Sequence, residues 1–565
     1  MYFFYAKQNI RLFNASLRRR ITARHLPDNV FCIHTTFYNF KNEHAIVTKT
    51  DYQQFQGNNA MGHTKDINEP ATAGSDNSNK NLLEASILPV WLNQRTIGFF
   101  GFIWLWIGMA VIIATFQLGA GGVAGLPLIQ VVAIIFFANL VLGIVMSLTA
   151  DIGTEHGLSF AVYLRAPFGL KGTHLPAVSR GVVAAIWFGV QTYLGALALN
   201  GIVEYLWGFD NWIVWYVLFA VVQIVNTALG IRAVELLASI AAPCIVAISV
   251  WMYFTLNVLA ETNGVNIWTF VGDQQVVPLA LFFANMAFWS ALAVDIPNLT
   301  RFLRTPGGQR SFFARNRNVF VAQFLALPAT QAWVALIGGV SFIAAGDWNP
   351  VTVIQGQGGG FTMVALLAMV ILAQWSTNNA ANLIPAALTF VNAGAPRISY
   401  PVALVIAGII GTASMPWLIL NNLFTFLSYY GAVLSAVGGI MVADYYILRH
   451  RRLNVPALYD PAGQFRFFNG FNPAGIIAWL AGGAMALIFL EYAYAVGFIT
   501  ALVVYVILMK TWILRHYPQE ELDSNFDDCF LATSVGLNWV YTEQKRFERL
   551  TADDIPASAL KREDR

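Results

Sequence analysis

The feature that most constrains this chain is a succession of apolar stretches, each near the roughly 20 helical residues that cross a bilayer. From Gly98 onward about twelve can be delimited, at 98–118, 127–149, 181–206, 211–230, 235–256, 276–294, 318–344, 362–390, 400–420, 422–447, 473–492 and 496–514. The two that meet around Asn421 are the least clearly separated. Of the 565 residues 57% are hydrophobic and 11% charged, against about 25% charged in soluble domains. The mean hydropathy of +0.58 agrees. The predicted fold class is an all-α polytopic membrane protein with about 12 transmembrane helices.

Charge placement tests that count. With the N-terminus in the cytoplasm, the cytoplasmic connections hold Arg165, Lys171, Arg180, Arg232, Arg301, Arg304, Arg310, Arg315, Arg317, Arg397, Arg449, Arg451 and Arg452. The opposite connections hold no Lys or Arg and carry Asp210, Glu261, Asp273 and Asp347. This is the positive-inside distribution, and one missed helix would scramble it. Both termini are therefore expected in the cytoplasm, in a plasma (bacterial inner) membrane.

The flanks differ from the spans. Residues 1–90 are polar, with the run SDNSNKN at Ser75–Asn81, and are expected to be a disordered cytoplasmic segment. The basic start (Lys7, Arg11, Arg18, Arg19, Arg20 and Arg24) reads either as a transit peptide or as translation from too early a start. The second reading is favoured, with Met61 as initiator and residues 1–60 outside the native protein. A transporter domain is expected over 91–515, and a charged, flexible cytoplasmic tail over 516–565. The stretch 157–172 is amphipathic, too short to span, and expected at the membrane interface. WNPVTVI after Asp347 is expected to form a short external helix or re-entrant loop. Cys32, Cys244 and Cys529 are too dispersed for a disulfide or zinc reading.

Within the spans the polar residues are amides and hydroxyls: Gln191, Asn285, Ser290, Ser376, Thr377, Asn378 and Asn382, with Trp187, Trp289 and Trp375 away from the interfacial belts. Asp295 and Asp444 sit toward the cytoplasmic ends of their spans. In the stretch QWSTNNAANLIP (Gln374–Pro385), helical spacing puts Ala373, Ser376, Thr377 and Ala380 on one face, with Asn378 and Asn382 roughly opposite. One helix then offers hydroxyls to one neighbour and amides to another, either as interhelical glue or as a site. Trp187 and Gln191 are four apart and face the same way. An indole face beside a carboxamide suits a flat, neutral ring bearing amide groups. Glycines in the first span and Pro297 in the sixth, five helices apart, point to broken helices in two repeats around a central site.

Several motifs together resemble the nucleobase–cation symporter-1 family. They are NQRT at Asn93, WIGMAV at Trp106, RAPFGLKG at Arg165, WFGVQTYLGALAL at Trp187, WNPV at Trp348, WSTNNAANLIP at Trp375 and DYYILRHRR at Asp444. They run in family order over roughly residues 90–515. The resemblance implies a five-plus-five inverted-repeat, leucine-transporter-like core with two extra helices. It implies a planar substrate between Trp187 and Trp289, bonded by Gln191 and Asn382. It also implies a sodium site made by the backbone carbonyls of Gly108, Val111 and Ala373 and the hydroxyls of Ser376 and Thr377. Two pocket positions depart from the family's hydantoin-transporting member: Ile112 replaces a glutamine and Phe288 a glycine. Asp295-Ile296-Pro297-Asn298 inverts the common Asn-Ile-Pro-Asp, either as a reversed local hydrogen bond or as a proton-sensitive Asp295.

The function expected is cation-coupled symport of a neutral planar nitrogen heterocycle, of nucleobase, allantoin or hydantoin type, into the cell by alternating access. No cofactor is expected besides the coupling ion, sodium, with a proton as the alternative. The expected partners are the heterocycle and the lipid bilayer; no nucleic-acid partner is expected, and the chain is expected to act as a monomer. An enzyme is disfavoured, since HExxH, GxSxG, GxxxxGK[ST] and Cys/His clusters are all missing from the sequence. A channel is disfavoured by the closed amide–tryptophan pocket. An amino-acid transporter of the same fold is the nearest rival.

Overall fold

The computed structural model describes residues 82, 85–90, 94–305, 311–357, 359–519, 539–541 and 547–549. The segment expected to be disordered therefore lies largely outside the described residues. So does most of the C-terminal tail, where Trp539–Tyr541 pairs antiparallel with Phe547–Arg549.

Among the described residues seven helices are long and apolar enough to cross a membrane: Leu128–His156, His174–Trp207, Ser239–Thr262, Arg317–Ala345, Gly360–Gly394, Leu423–Leu448 and Leu490–His516. Phe99–Ala110 and Ile113–Val123 form a further pair, bent by 51°. The shorter apolar helices Trp212–Ala228, Pro278–Phe288, Tyr400–Ala413 and Pro473–Ile488 fall on the predicted fourth, sixth, ninth and eleventh spans. In chain order these elements match the twelve apolar stretches, and the ordinals below follow that order. The ninth is followed by a separate turn, Pro416–Asn421, after Met415 at φ 51°. The expected piece after Asp347 is the helix Pro350–Gln357.

Close packing in an apolar solvent requires small residues where backbones meet. The second half of the first span lies on the seventh. A Cβ on Gly119 would strike the Ala335 carbonyl, and one on Gly338 the Phe116 backbone. The third span meets the ninth the same way, at Gly189 and Gly411. The third and eighth spans run antiparallel: Gly201 lies by Leu367, the Phe188 carbonyl by Asn378, and Gly181 by Thr389.

The structure corrects the sequence reading in three places. First, the stretch expected at the interface is buried through residue 170, with the turns Phe160–Tyr163 and Arg165–Phe168, and Lys171 alone in it is exposed. Its charge has internal partners. Arg165 donates from Nε and Nη2 to Asn392 Oδ1 at 3.2 and 2.7 Å, and from Nη1 to the Leu458 carbonyl at 3.0 Å. Its guanidinium also lies 5.2 Å from the Tyr459 ring centre. Burial lowers its pKa to about 10, which leaves it charged at neutral pH.

Second, the second helix does not stop where its apolar run ends. It continues to His156 and is closed by Gly157 at φ 67°, a left-handed position that suits glycine. The added turn carries Asp151 and Glu155, which both pair with Arg315 from the connection before the seventh span. Third, the sixth span breaks at Trp289 (φ −96°, ψ 1°), between Pro278–Phe288 and Ser290–Asp295. Pro297 instead opens the turn Pro297–Thr300, since a first-turn proline forfeits no helical hydrogen bond.

The glycine contacts yield a contrast that thermal unfolding in detergent can check. Gly119→Val should destabilise by at least about 1–3 kcal/mol, because the added methyls meet backbone rather than a movable side chain. Gly483, whose Cβ would meet nothing within 4 Å, should tolerate alanine with an equal or higher Tm.

Candidate functional site

The site begins at two helix breaks. In the first span the helix ends at Ala110, Val111 (φ −89°, ψ 71°) turns the chain, and Ile112 is extended before Ile113 restarts it. Residues in such a break lose the regular i→i+4 ladder, so their carbonyls look elsewhere for partners. The Gly108 carbonyl accepts from Thr377 Oγ1 at 2.6 Å. Ser376 Oγ donates to the Ala373 carbonyl at 3.1 Å, and a Cβ on Gly108 would sit 3.7 Å from that hydroxyl oxygen. No hydrogen bond to the Val111 carbonyl occurs among the described residues. Gly108, Ala373, Ser376 and Thr377 therefore lie together, and Val111 shares a small cavity lining with Ala373. The assembled donors are neutral oxygens, which is what a small hard cation takes.

The other face of the eighth span holds amides, as its spacing predicts. Asn378 Nδ2 donates to the Phe188 carbonyl (3.0 Å), Thr192 Oγ1 (3.1 Å) and Gln223 Oε1 (2.8 Å). Asn378 is thus the glue that ties the eighth span to the third and fourth. Asn382, one turn on within a π-helical segment (Asn379–Leu383), donates to Asn378 Oδ1 at 2.9 Å.

Trp187 stands in an aromatic cage. Its ring centre is 5.5 Å from Phe288, 5.9 Å from Phe426 and 6.5 Å from Tyr430. Phe288 is in turn 5.3 Å from Trp289. The two indoles expected to sandwich a ring are therefore linked through Phe288. Gln191 lies one turn beyond Trp187, 1% exposed, with its Oε1 unpaired. Such an orphan acceptor in a dry interior costs about 1–3 kcal/mol unless something bonds it. Ile112 is buried in the same apolar cluster as Trp187, Phe288 and Trp289.

Four participants were not singled out from sequence as members of this site. Phe426 and Tyr430 of the tenth span are an i, i+4 aromatic pair, a visible signal. The Tyr430 hydroxyl donates to the Phe288 carbonyl at 2.7 Å, meeting the group freed by the sixth-span break. Gln331 accepts from Trp289 Nε1 at 2.6 Å. Arg180, read from sequence as a loop charge, is buried. Its Nη2 pairs with Asp295 Oδ2 at 2.8 Å. Nε and Nη2 also donate to the carbonyls of Ala291 and Ala381, both at 3.1 Å. One guanidinium thus joins the third, sixth and eighth spans just below Asn382.

Removing one partner of a buried pair strands the other charge at about 3–5 kcal/mol. Arg180→Ala should therefore lower thermal stability sharply. The double change with Asp295→Ala should recover much of it, as melting of the purified proteins at one pH will reveal.

Comparison with known proteins agrees with this geometry. Residues 89–514 match a family described as permeases for cytosine/purines, uracil, thiamine and allantoin. The hydantoin permease of Microbacterium maritypicum is 28% identical over 458 residues, covering 80% of this chain and 93% of its own. The allantoin permease of Bacillus subtilis is 26% identical over 477 residues, covering 77% and 95%. A nucleobase-cation-symport-1 family transporter, solved closed with bromovinylhydantoin bound, superposes with a TM-score of 0.74. That match is at 27% identity, over 80% of this chain and all of the other. A sodium-coupled sialic acid symporter shares the fold at 15% identity, with a TM-score of 0.51 over 77% of this chain and 94% of its own. These relatives are permeases and symporters rather than enzymes, and the architecture is the leucine-transporter-like one. This chain belongs to the nucleobase–cation symporter-1 family of permeases for cytosine/purines, uracil, thiamine and allantoin.

Proposed function

We propose that the chain carries a neutral planar nitrogen heterocycle of nucleobase, allantoin or hydantoin type into the cell by sodium-coupled alternating access. One observation carries the reading: the buried, unpaired Gln191 Oε1 lies a turn from the Trp187 indole. A ring that stacks on Trp187 can donate an N–H to that oxygen. Asn382, already giving one N–H to Asn378, keeps a second N–H and a carbonyl for the same ring edge. Ile112 and Phe288 are apolar, so recognition falls on the Gln191–Asn382 side.

Sodium coupling is supported by the oxygens gathered at the first-span break. A cation held by the carbonyls of Gly108, Val111 and Ala373 and the hydroxyls of Ser376 and Thr377 would join the first and eighth spans, one from each half of the core. Such a cation favours the conformation in which the heterocycle pocket is assembled. Linkage then requires substrate to raise sodium affinity by the same factor. For proton coupling the obvious carboxylate is Asp295, which is already paired with Arg180.

Purified protein should bind one member of a panel of uracil, cytosine, allantoin and hydantoins. Gln191→Ala or Asn382→Ala should weaken that binding by about five- to a hundredfold, the equivalent of 1–3 kcal/mol. Trp187→Ala should weaken it too, through loss of the stacking face. Binding of a charged amino acid in place of every heterocycle would sink the substrate class.

Titrations with and without sodium at fixed pH test the ion. Sodium should tighten substrate binding, and Thr377→Ala should reduce that enhancement while sparing sodium-free affinity. If affinity ignores sodium and uptake collapses with a protonophore, coupling is by protons and Asp295 becomes the residue to mutate.

A further inference from the structure

The side of Trp289 that meets the seventh span is occupied by a chain of buried amides. Trp289 Nε1 donates to Gln331 Oε1 at 2.6 Å. The same oxygen accepts from Asn139 Nδ2, also at 2.6 Å. Asn139 Oδ1 in turn accepts from Asn285 Nδ2 at 3.0 Å. All four side chains are 1% exposed or less. They come from the second span (Asn139), the sixth (Asn285 and Trp289) and the seventh (Gln331). Three amides in a dry bundle cost stability unless they meet one another, and a Leu-rich seam would pack the same helices without that demand. Packing alone therefore leaves the choice of Gln331 and Asn139 unexplained.

Trp289 explains it. This residue forms the sixth-span break, where the backbone lacks a continuous helix to hold the side chain. Its ring touches Phe288 at 5.3 Å and Trp106 at 6.2 Å, edge-on or tilted. Apolar contacts of that kind are not directional enough to fix the rotation of an indole. A short hydrogen bond to an acceptor that is itself held by Asn139 is directional. It also commits the only polar atom of the indole, so Trp289 can offer substrate its ring surface and no donor.

We propose that Gln331 is a positioning residue. By binding the Trp289 indole N–H, with Asn139 and Asn285 behind it, Gln331 sets the orientation in which Trp289 walls the heterocycle pocket. This rests on the pocket reading above, and the test separates the two.

The test is made on full-length protein in detergent. Trp289 is assigned in the spectrum of ¹⁵N-labelled indole groups as the signal lost in Trp289→Phe. In Gln331→Leu that signal should shift strongly while the bulk of the other indole signals stay in place. The binding probe is whichever of uracil, allantoin and bromovinylhydantoin the unmodified protein binds most tightly. Gln331→Leu should weaken it about tenfold, and Trp289→Phe by a similar factor. The double variant should be no weaker than the worse single one, since both changes break the same bond. Asn139→Leu, which leaves Gln331 in place, should shift the Trp289 signal less. An unmoved Trp289 signal in Gln331→Leu overturns the proposal whether or not any probe binds. Additive losses in the double variant, or unchanged probe affinity beside a shifted signal, overturn it too. Failure of the unmodified protein to bind any probe would count against the pocket reading alone, because the indole signal still reports on Gln331.

Discussion

Two interruptions of helical hydrogen bonding deep in an apolar bundle organise the rest of this structure. Each frees backbone groups that hydrocarbon cannot satisfy, at a cost of several kcal/mol apiece if left alone. Several of the compensations come from polar side chains on other spans. Thr377 meets the Gly108 carbonyl and Tyr430 that of Phe288, while Thr149 meets that of Ala293, four residues before Pro297, which has no N–H to offer. Part of the polar set in the spans thus complements the breaks.

That complementarity couples structure to transport. A side chain that bridges a break in one span from a neighbouring span also fixes the relative placement of the two. Any movement of the first or sixth span against the third, eighth or tenth must exchange these bonds for others, for water, or for bound solute. In the function proposed above, the Gly108–Thr377 contact is where a cation takes over the role of a hydrogen bond. In the same proposal, the cage of Trp187, Phe288, Phe426 and Tyr430 is where a flat ring takes over the role of packed side chains. Arg180 does neither, and holds three spans together below the pocket.

Polar residues on one helix divide their labour by face. On the eighth span Thr377 and Ser376 turn to the first span, while Asn378 turns to the third and fourth. The adhesive reading is realised at Asn378, and the site reading is the one proposed above for Ser376, Thr377 and Asn382. Asn378 saturates its amide N–H groups on neighbouring helices and on a glutamine side chain. Asn382 hangs from it with hydrogen-bonding capacity left over.

The sequence by itself determined the number and order of apolar segments, because length and hydropathy are local properties that any bilayer enforces. It also determined the face assignments on the eighth span and the pairing of Trp187 with Gln191, because helical period is local too. Glycines in the first span pointed to a break there, and the family resemblance supplied the residues expected around it. What only the tertiary structure decided was every property that depends on a distant partner. Residues 157–170 look like a surface segment until Arg165 is seen bonded to Asn392. Asp151 and Glu155 end an apolar run yet remain in a buried helix, because Arg315 arrives from 160 or more positions away in sequence. Pro297 is a louder signal than Trp289, yet the sixth span breaks at Trp289, where Tyr430 and Gln331 are in place to receive the freed carbonyl and the indole. Partner choice is a global property of the packing, and no window along the chain contains it.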